Sequence, residues 1–285
     1  MKTSLEKCVL CSSPKDRFEP CGKKSGYTIC RCKSCSLVFI NPRDEAATLH
    51  SQYLKNKTSP TAYYAATVDS DRENFVQVLE RIESICPKGK LLDVGCNVGT
   101  FLQCAAERGW RVQGIDANED ALQVCRRNAH QVFRGIFGRD AFPGLAENTL
   151  DWISMNDTIE HFLDPKEAVI TARSYLKNGG ILSVITPNLE SFLARAFQVK
   201  PKEHLFYFTR DTLSKLFGAA GLEPVFVEEW PRNRDVGSMH LGASFENPLW
   251  VSVSKALKIT HLDSLTNRIL EILFKEQIVA IARKP

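Results

Sequence analysis

LLDVGCNVGTFL, residues 91–102, decides the reading of this chain. The apolar pair Leu91-Leu92 ends in Asp93. Turn-permissive residues follow at Gly95, Asn97 and Gly99, and an apolar run restarts at Phe101. That order predicts a strand, a tight turn and a helix. In a doubly wound sheet, the turn after the first strand comes closest to the ligand. A pyrophosphate loop asks for G-x-G-x-x-G. Here Asn97 stands at the second glycine and Thr100 at the third. Asp93 adds a negative charge at the start of the loop, which suits a cationic, phosphate-free ligand better than a pyrophosphate. Asparagine tolerates left-handed backbone angles, so Asn97 is expected at positive φ or with its side chain turned away from the ligand.

Outward from this loop, strands and helices alternate. Strands are expected at 90–95, 111–116, 131–134, 150–155 and 180–186, and helices at 98–109, 118–128 and 164–177. A further helix at 209–219, a strand at 222–229 and a final strand at 277–285 complete the pattern. This rhythm predicts an α/β fold, a doubly wound sheet with helices on both faces. Upstream, Ser70 and Glu73 form an S-x-x-E capping box before Phe75, Val78, Leu79, Ile82 and Ile85, which predicts an amphipathic helix over 71–85. The expected domains are 1–45, a linker at 46–70, and 71–285. Segments 189–208 and 231–275 are read as a cap, and a mixed helical region as running from Trp250 to Phe274.

With 44% apolar and 25% charged residues the chain reads as globular. No apolar run approaches the roughly 18 residues of a membrane span. The N-terminal MKTSLEKC lacks the apolar core of a signal peptide, so a cytoplasmic location is the expectation. Residues 1–45 hold nine Lys/Arg against five Asp/Glu and carry the whole formal charge of +4. The balanced remainder argues against extensive phosphate contact by the large domain.

Ten cysteines without a secretion signal do not read as disulfides. Cys8 and Cys11 form one C-x-x-C, and Cys32 and Cys35 another. Two such turns point four sulfurs at one centre, the pattern of a structural, closed Zn²⁺ site. The segment between them, broken by Pro20, Gly22 and Gly26, should be a short hairpin or loop. Cys30 is a poorer alternative ligand. No histidine lies in residues 1–45 to open the site for chemistry.

DVGCNVG (93–99) resembles the D/E-x-G-x-G-x-G motif of class I S-adenosylmethionine (SAM)-dependent methyltransferases. SMNDTIEHFLDP (154–165), LKNGGILSVITPN (176–188) and KEHLFYFTRDTLSKLFGAAGL (202–222) are similar to the branch that holds ubiquinone-type and natural-product O-methyltransferases. The CxxC…CxxC block followed by LVFINP is also found on members of that branch. The resemblance implies a seven-stranded sheet with its last strand antiparallel. It implies that Asp93, Gly95 and Gly99, with Asn97 in place of the middle glycine, frame the SAM methionine. Asp116 should hold the ribose, with Ala117 beside the adenine and Asn156 near the SAM amino group. On the residues alone, Asp93 could instead cap the next helix, and Asp116 could be a turn aspartate. Tyr63 and Tyr64 could close over the cofactor or simply pack.

Methyl transfer to a hydroxyl gains from a base, for which neutral histidine is suited. His204 and His161 fall after strands, where the ligand edge should be, and are the candidate catalytic residues; His240 is a weaker one. A [DNS]-P-P-[YF] motif is absent after the fourth strand, where Asn156-Asp157-Thr158-Ile159 stands, which argues against a base-amine methylase. The aromatic residues of the cap, including Phe192, Phe206, Tyr207, Phe208, Trp230 and Trp250, suit an apolar or ring-bearing acceptor. The expected activity is methyl transfer to a small-molecule acceptor: a sugar, quinol or secondary metabolite. Two alternatives are an RNA methyltransferase that reads RNA through the zinc block, and a non-catalytic SAM-fold binding protein.

Overall fold

Near the N-terminus, β1 (Lys2–Thr3) pairs antiparallel with β5 (Arg43–Asp44). Between them, β2 (Phe18–Lys24) and β3 (Tyr27–Cys32) form a hairpin turned at Ser25 and Gly26, both at positive φ. β4 (Val38–Ile40) pairs with β3. This is the hairpin expected between the cysteine pairs. The computed structural model describes residues 2–45, 61–138, 145–232 and 275–285, with isolated positions at 48, 252, 253, 255, 256, 259 and 265. Much of the expected linker and nearly all of the 231–275 cap lie outside the described residues. So do His240, Trp250 and the side chains of Tyr63 and Tyr64.

The expected helix at 71–85 is longer: α1 runs over Thr61–Glu83. Ser70 lies inside it and donates to the Thr67 carbonyl at 2.9 Å, so the capping box is not formed. The alanines of TAYYAAT carry helix propensity through the supposed start.

β6 (Lys90–Val94), α2 (Thr100–Glu107), β7 (Arg111–Asp116), α3 (Glu119–Arg127) and β8 (Gln131–Arg134) follow in the expected order. Asn118 caps α3 by accepting from the Asp120 and Ala121 amides. β9 (Leu150–Asn156) leads to α4 (Pro165–Tyr175), which Asp164 caps and which has proline in its first turn. β10 (Leu176–Pro187) is irregular between Leu176 and Ile181, around the glycine pair. Then come α5 (Phe192–Phe197), β11 (Phe206–Tyr207), α6 (Arg210–Ala219), β12 (Glu223–Trp230) and β13 (Gln277–Arg283).

The main sheet has seven strands in the order β12-β13-β10-β9-β6-β7-β8. β6 to β10 pair in parallel, and β13 is antiparallel to both β10 and β12, as expected. After β6 the chain steps outward to β7 and β8, then crosses to β9 on the other side. The strand order therefore switches between β6 and β9, and ligands in such sheets sit beyond the carboxyl ends at that point.

Each face of the sheet is covered. On one, Val78, Leu79, Ile82, Phe101, Trp110 and Trp152 are buried together. On the other, Ile153, Met155, Val169, Leu216 and Phe217 share one cluster with Leu10, Leu37 and Phe39 of the N-terminal module. The module therefore packs into the main core. No helix among the described residues is long and apolar enough to cross a membrane.

Candidate active site

The turn after β6 is built for close approach. Gly95 and Gly99 lie at φ 76° and 84°, and Asn97 at φ 47°, the positive angle expected from the sequence. A Cβ on Gly95 would sit 2.4 Å from Thr158 Oγ1, and one on Gly99 2.9 Å from Cys125 Sγ. Glycine is thus required at both positions for space as well as for angle. Cys104 and Cys125 are buried in the core.

Asp93 is buried, 2% exposed. It accepts from Ser154 Oγ at 2.7 Å and Asn156 Nδ2 at 3.3 Å. These contacts cross to β9 and do not cap α2, whose N-cap is Gly99 with no side-chain bond. Burial pushes the Asp93 carboxyl up to about 7. Asn156 Oδ1 is buried with no partner. A buried amide oxygen left over in this way is a ready acceptor for a cationic donor.

Asp116 ends β7, half-buried. One oxygen accepts from the Asn118 amide at 2.8 Å, and the other from the Asn97 amide at 2.9 Å. The turn-aspartate contact is therefore real. Each oxygen also keeps a second lone pair, so ribose hydroxyls remain possible partners. Burial raises the Asp116 carboxyl as well. Ala117 follows it, half-buried.

His161 and His204 come together. Their rings meet edge to face, with centroids 4.8 Å apart. His204 Nδ1 lies 2.8 Å from the Gln198 carbonyl, and His161 Nδ1 lies 2.9 Å from that of Glu203. A carbonyl only accepts, so Nδ1 carries the proton in each neutral ring. On His204 this leaves Nε2 with the lone pair. Burial holds His161 below its ordinary pKa and His204 well below it.

Glu160 completes the group, with donor atoms of all three residues within 4.8 Å of one another, a spacing that a divalent cation could also bridge. Its carboxyl is pushed up to about 8, first by burial and then by Asp157. One of its oxygens takes Thr186 Oγ1 at 3.0 Å and the other is buried with no partner.

Sequence reasoning missed Ser154, Thr158 and Glu160. The repeated Glu-His of IEH and KEH was the available signal for the last. It also missed a small cleft beside Asn156, lined by Asp71, Asn74, Asp157, Trp230, Arg232 and Gln277 among others. Arg232 spans Asp157 at 3.0 Å and Asp71 at 3.6 Å, and Gln277 donates to Asp157 at 3.2 Å. Phe206 and Phe208, read as cap residues for the acceptor, are instead fully buried in the core cluster with Phe39.

Cys8, Cys11, Cys32 and Cys35 gather with sulfurs within 4.8 Å of one another. Cys8 and Cys35 are 3.6 Å apart, Cys11 and Cys32 3.7 Å. A Zn–S bond of about 2.3 Å gives tetrahedral S···S edges of about 3.8 Å, so the four fit one zinc. Cys30 stands outside the group and faces the Asn41 carbonyl at 3.6 Å.

Comparison with known proteins agrees with this fold. The chain is 31% identical to a ubiquinone biosynthesis O-methyltransferase of Idiomarina loihiensis over 153 residues, 48% of this chain and 63% of the relative. It is 28% identical to that of Alkalilimnicola ehrlichii, over 56% of this chain and 65% of the relative. The chain thus spans a little under two thirds of the length of these curated relatives. Among solved structures, a SAM-dependent methyltransferase from Archaeoglobus fulgidus superposes with TM-score 0.54 at 20% identity, over 84% of this chain and all of the other. A phosphoethanolamine N-methyltransferase of Haemonchus contortus in complex with SAM superposes with TM-score 0.59 at 15% identity, over 87% and 63%. These likenesses concern the fold. The methyltransferase-domain family matches residues 68–227, more than half of the chain, and the chain belongs to that family.

Proposed function

We propose that this chain transfers a methyl group from SAM to a hydroxyl oxygen of a small-molecule acceptor. The observation that carries the reading is the polar strip at the switch point. Asp93, Ser154 and Asn156 join β6 to β9, and the Asn156 carbonyl is left over beside a positive-φ loop. A ligand with an ammonium and a sulfonium matches that strip. In this reading Gly95, Asn97 and Gly99 shape the backbone against the methionine, Asp116 takes the ribose and Ala117 lies by the adenine. Residues 1–45 form a module around a structural zinc held by Cys8, Cys11, Cys32 and Cys35. Residues 71–285 carry the transfer.

Bound SAM supplies a methyl group on a positive sulfur, ready for in-line displacement. Held there, SAM would give this methyl to the acceptor oxygen, with the S–CH₃ electron pair returning to sulfur. The hydroxyl proton goes to His204 Nε2, with His161 packed against its ring. Positioning alone can supply on the order of 7–11 kcal/mol, and a base on the order of 10²–10⁴-fold. The ubiquinone-type relatives support a ring-bearing hydroxyl as acceptor.

Calorimetry of the purified protein with SAM and with NAD tests the core of this reading. SAM binding that Asp116→Ala abolishes is expected. Binding of NAD alone would overturn it. A metabolite screen with labelled SAM then identifies the acceptor.

A further inference from the structure

The segment that carries His204 is held from two sides. On one side, the Leu205 amide donates to the Glu160 carbonyl at 2.9 Å. On the other, the Ile40 amide donates to the Leu205 carbonyl at 3.0 Å. Directly after, β11 becomes the outer strand of the N-terminal sheet, with Phe206 opposite Phe39 and Tyr207 opposite Val38. The Phe39 ring packs against Phe206 at 6.3 Å and against Phe18 at 4.8 Å. Arg43 lies over the other partner ring, 5.6 Å from the Phe206 centroid.

The cysteine cluster adjoins this seam. Cys32 ends β3 and its amide donates to the Leu37 carbonyl at 2.9 Å, while Ser36 donates back to Cys32 at 2.8 Å. Cys35 is separated from β4 only by Ser36 and Leu37. Order imposed on the four sulfurs therefore passes through one tight turn into the strand that pairs with β11. The loop at 91–102 takes its main-chain bonds from the main sheet instead: the Gly95 and Cys96 amides donate to the Ile115 carbonyl.

We propose that β4, through Ile40 and Phe39, is the positioning element for His204, and that the cysteine cluster acts on the acceptor side of the site and not on the cofactor loop. The inference rests on the proposed function only for what His204 does. The seam itself is read without SAM or acceptor. A main-chain ladder suits the task because it fixes the residue next to His204 in register, which a side-chain contact alone would not.

The test uses the full chain in four forms: native, stripped of metal with a chelator, Phe39→Ala, and Phe39→Leu as the conservative control. Three quantities are read. They are amide hydrogen exchange at Leu205 and at Leu92 and Val94 of β6, the His204 imidazole tautomer from its ¹⁵N shifts at fixed pH, and SAM affinity. In the stripped protein and in Phe39→Ala, Leu205 is expected to lose about tenfold or more of its protection while β6 keeps its own. The His204 tautomer becomes mixed as its bond to Gln198 loosens, SAM affinity holds within about threefold, and Phe39→Leu behaves as native. The proposal is overturned if Leu205 protection and the His204 tautomer persist in both altered forms. It is equally overturned if β6 protection or SAM affinity falls in step with them, which would make the module a general stabiliser. Failure of the native protein to bind SAM would sink the proposed function and leave the seam readouts intact.

Discussion

Asn156 donates to the Asp93 carboxylate at 3.3 Å and leaves its own carbonyl oxygen buried without a partner. The amide is thereby oriented by one strand's acid and presents an acceptor at the switch point of the sheet. Replacing it should separate binding from stability. Asn156→Ala removes the unpartnered oxygen together with the long 3.3 Å bond to Asp93, so the melting temperature should fall by only a few degrees. A hydrogen bond to a charged group is worth about 1.5–3 kcal/mol, so SAM affinity should fall on the order of 10–100-fold by calorimetry. An unchanged affinity would remove Asn156 from the cofactor site.

Asp93 predicts a pH dependence whose sign follows from burial. Its folded pKa, up to about 7, lies above the ordinary carboxylate value. The folded state therefore holds this proton more tightly, and the group costs stability increasingly as pH rises from about 4 towards 7. A cationic ligand favours the ionised form. SAM affinity should then weaken below pH 7, by up to about tenfold per unit, and level off above it. Titrations at several pH values with Asp93→Asn as control decide this. The variant should bind more weakly and lose the slope.

The turn makes two opposite predictions. Gly95→Ala forces a Cβ to 2.4 Å from Thr158 Oγ1 at φ 76°. It should destabilise by about 1–3 kcal/mol, seen as a lower denaturation midpoint. Asn97→Gly, at φ 47°, should be tolerated, because glycine adopts that angle without steric cost. Loss of stability in Asn97→Gly comparable to that in Gly95→Ala would mean that the Asn97 side chain, and not its backbone, matters.

Metal analysis should find one zinc per chain. Cys32→Ser should lose it and loosen residues 1–45, because zinc binding is coupled to the folding of the module that the cysteines frame. Cys30→Ser should keep the metal, because Cys30 faces Asn41 outside the cluster. Zinc loss in Cys30→Ser would reassign the ligands.

His204→Ala should lower kcat by on the order of 10²–10⁴-fold with SAM affinity preserved. Burial keeps the native imidazole neutral to well below pH 6.5, so the rate should not decline near that value as it would with an exposed histidine. A greater loss in His161→Ala than in His204→Ala would exchange their roles.

Much of this was legible in the chain because it is local. Alternating apolar runs, turn glycines and the equal cysteine spacings each act within a few residues, and they led to the sheet, the positive φ of Asn97 and the four-sulfur cluster. The start of α1 was misread because Ser70 and Glu73 mimic a cap that only an upstream helix break would make real. Phe206 and Phe208 were misread because their composition suits either a lid or a core. Their burial was decided by Phe39, far away in sequence.

The sequence by itself determined most strands and helices of the main sheet, the positive φ of Asn97 and the grouping of the four cysteines, since backbone preference and residue spacing are short-range properties. Only the tertiary structure decided that Asp93 faces Ser154 and Asn156, that His161 meets His204, and that β4 holds the chain next to His204. Those pairings come from strand order and register. They join residues whose separation along the chain leaves no local signal, and burial then sets their charge.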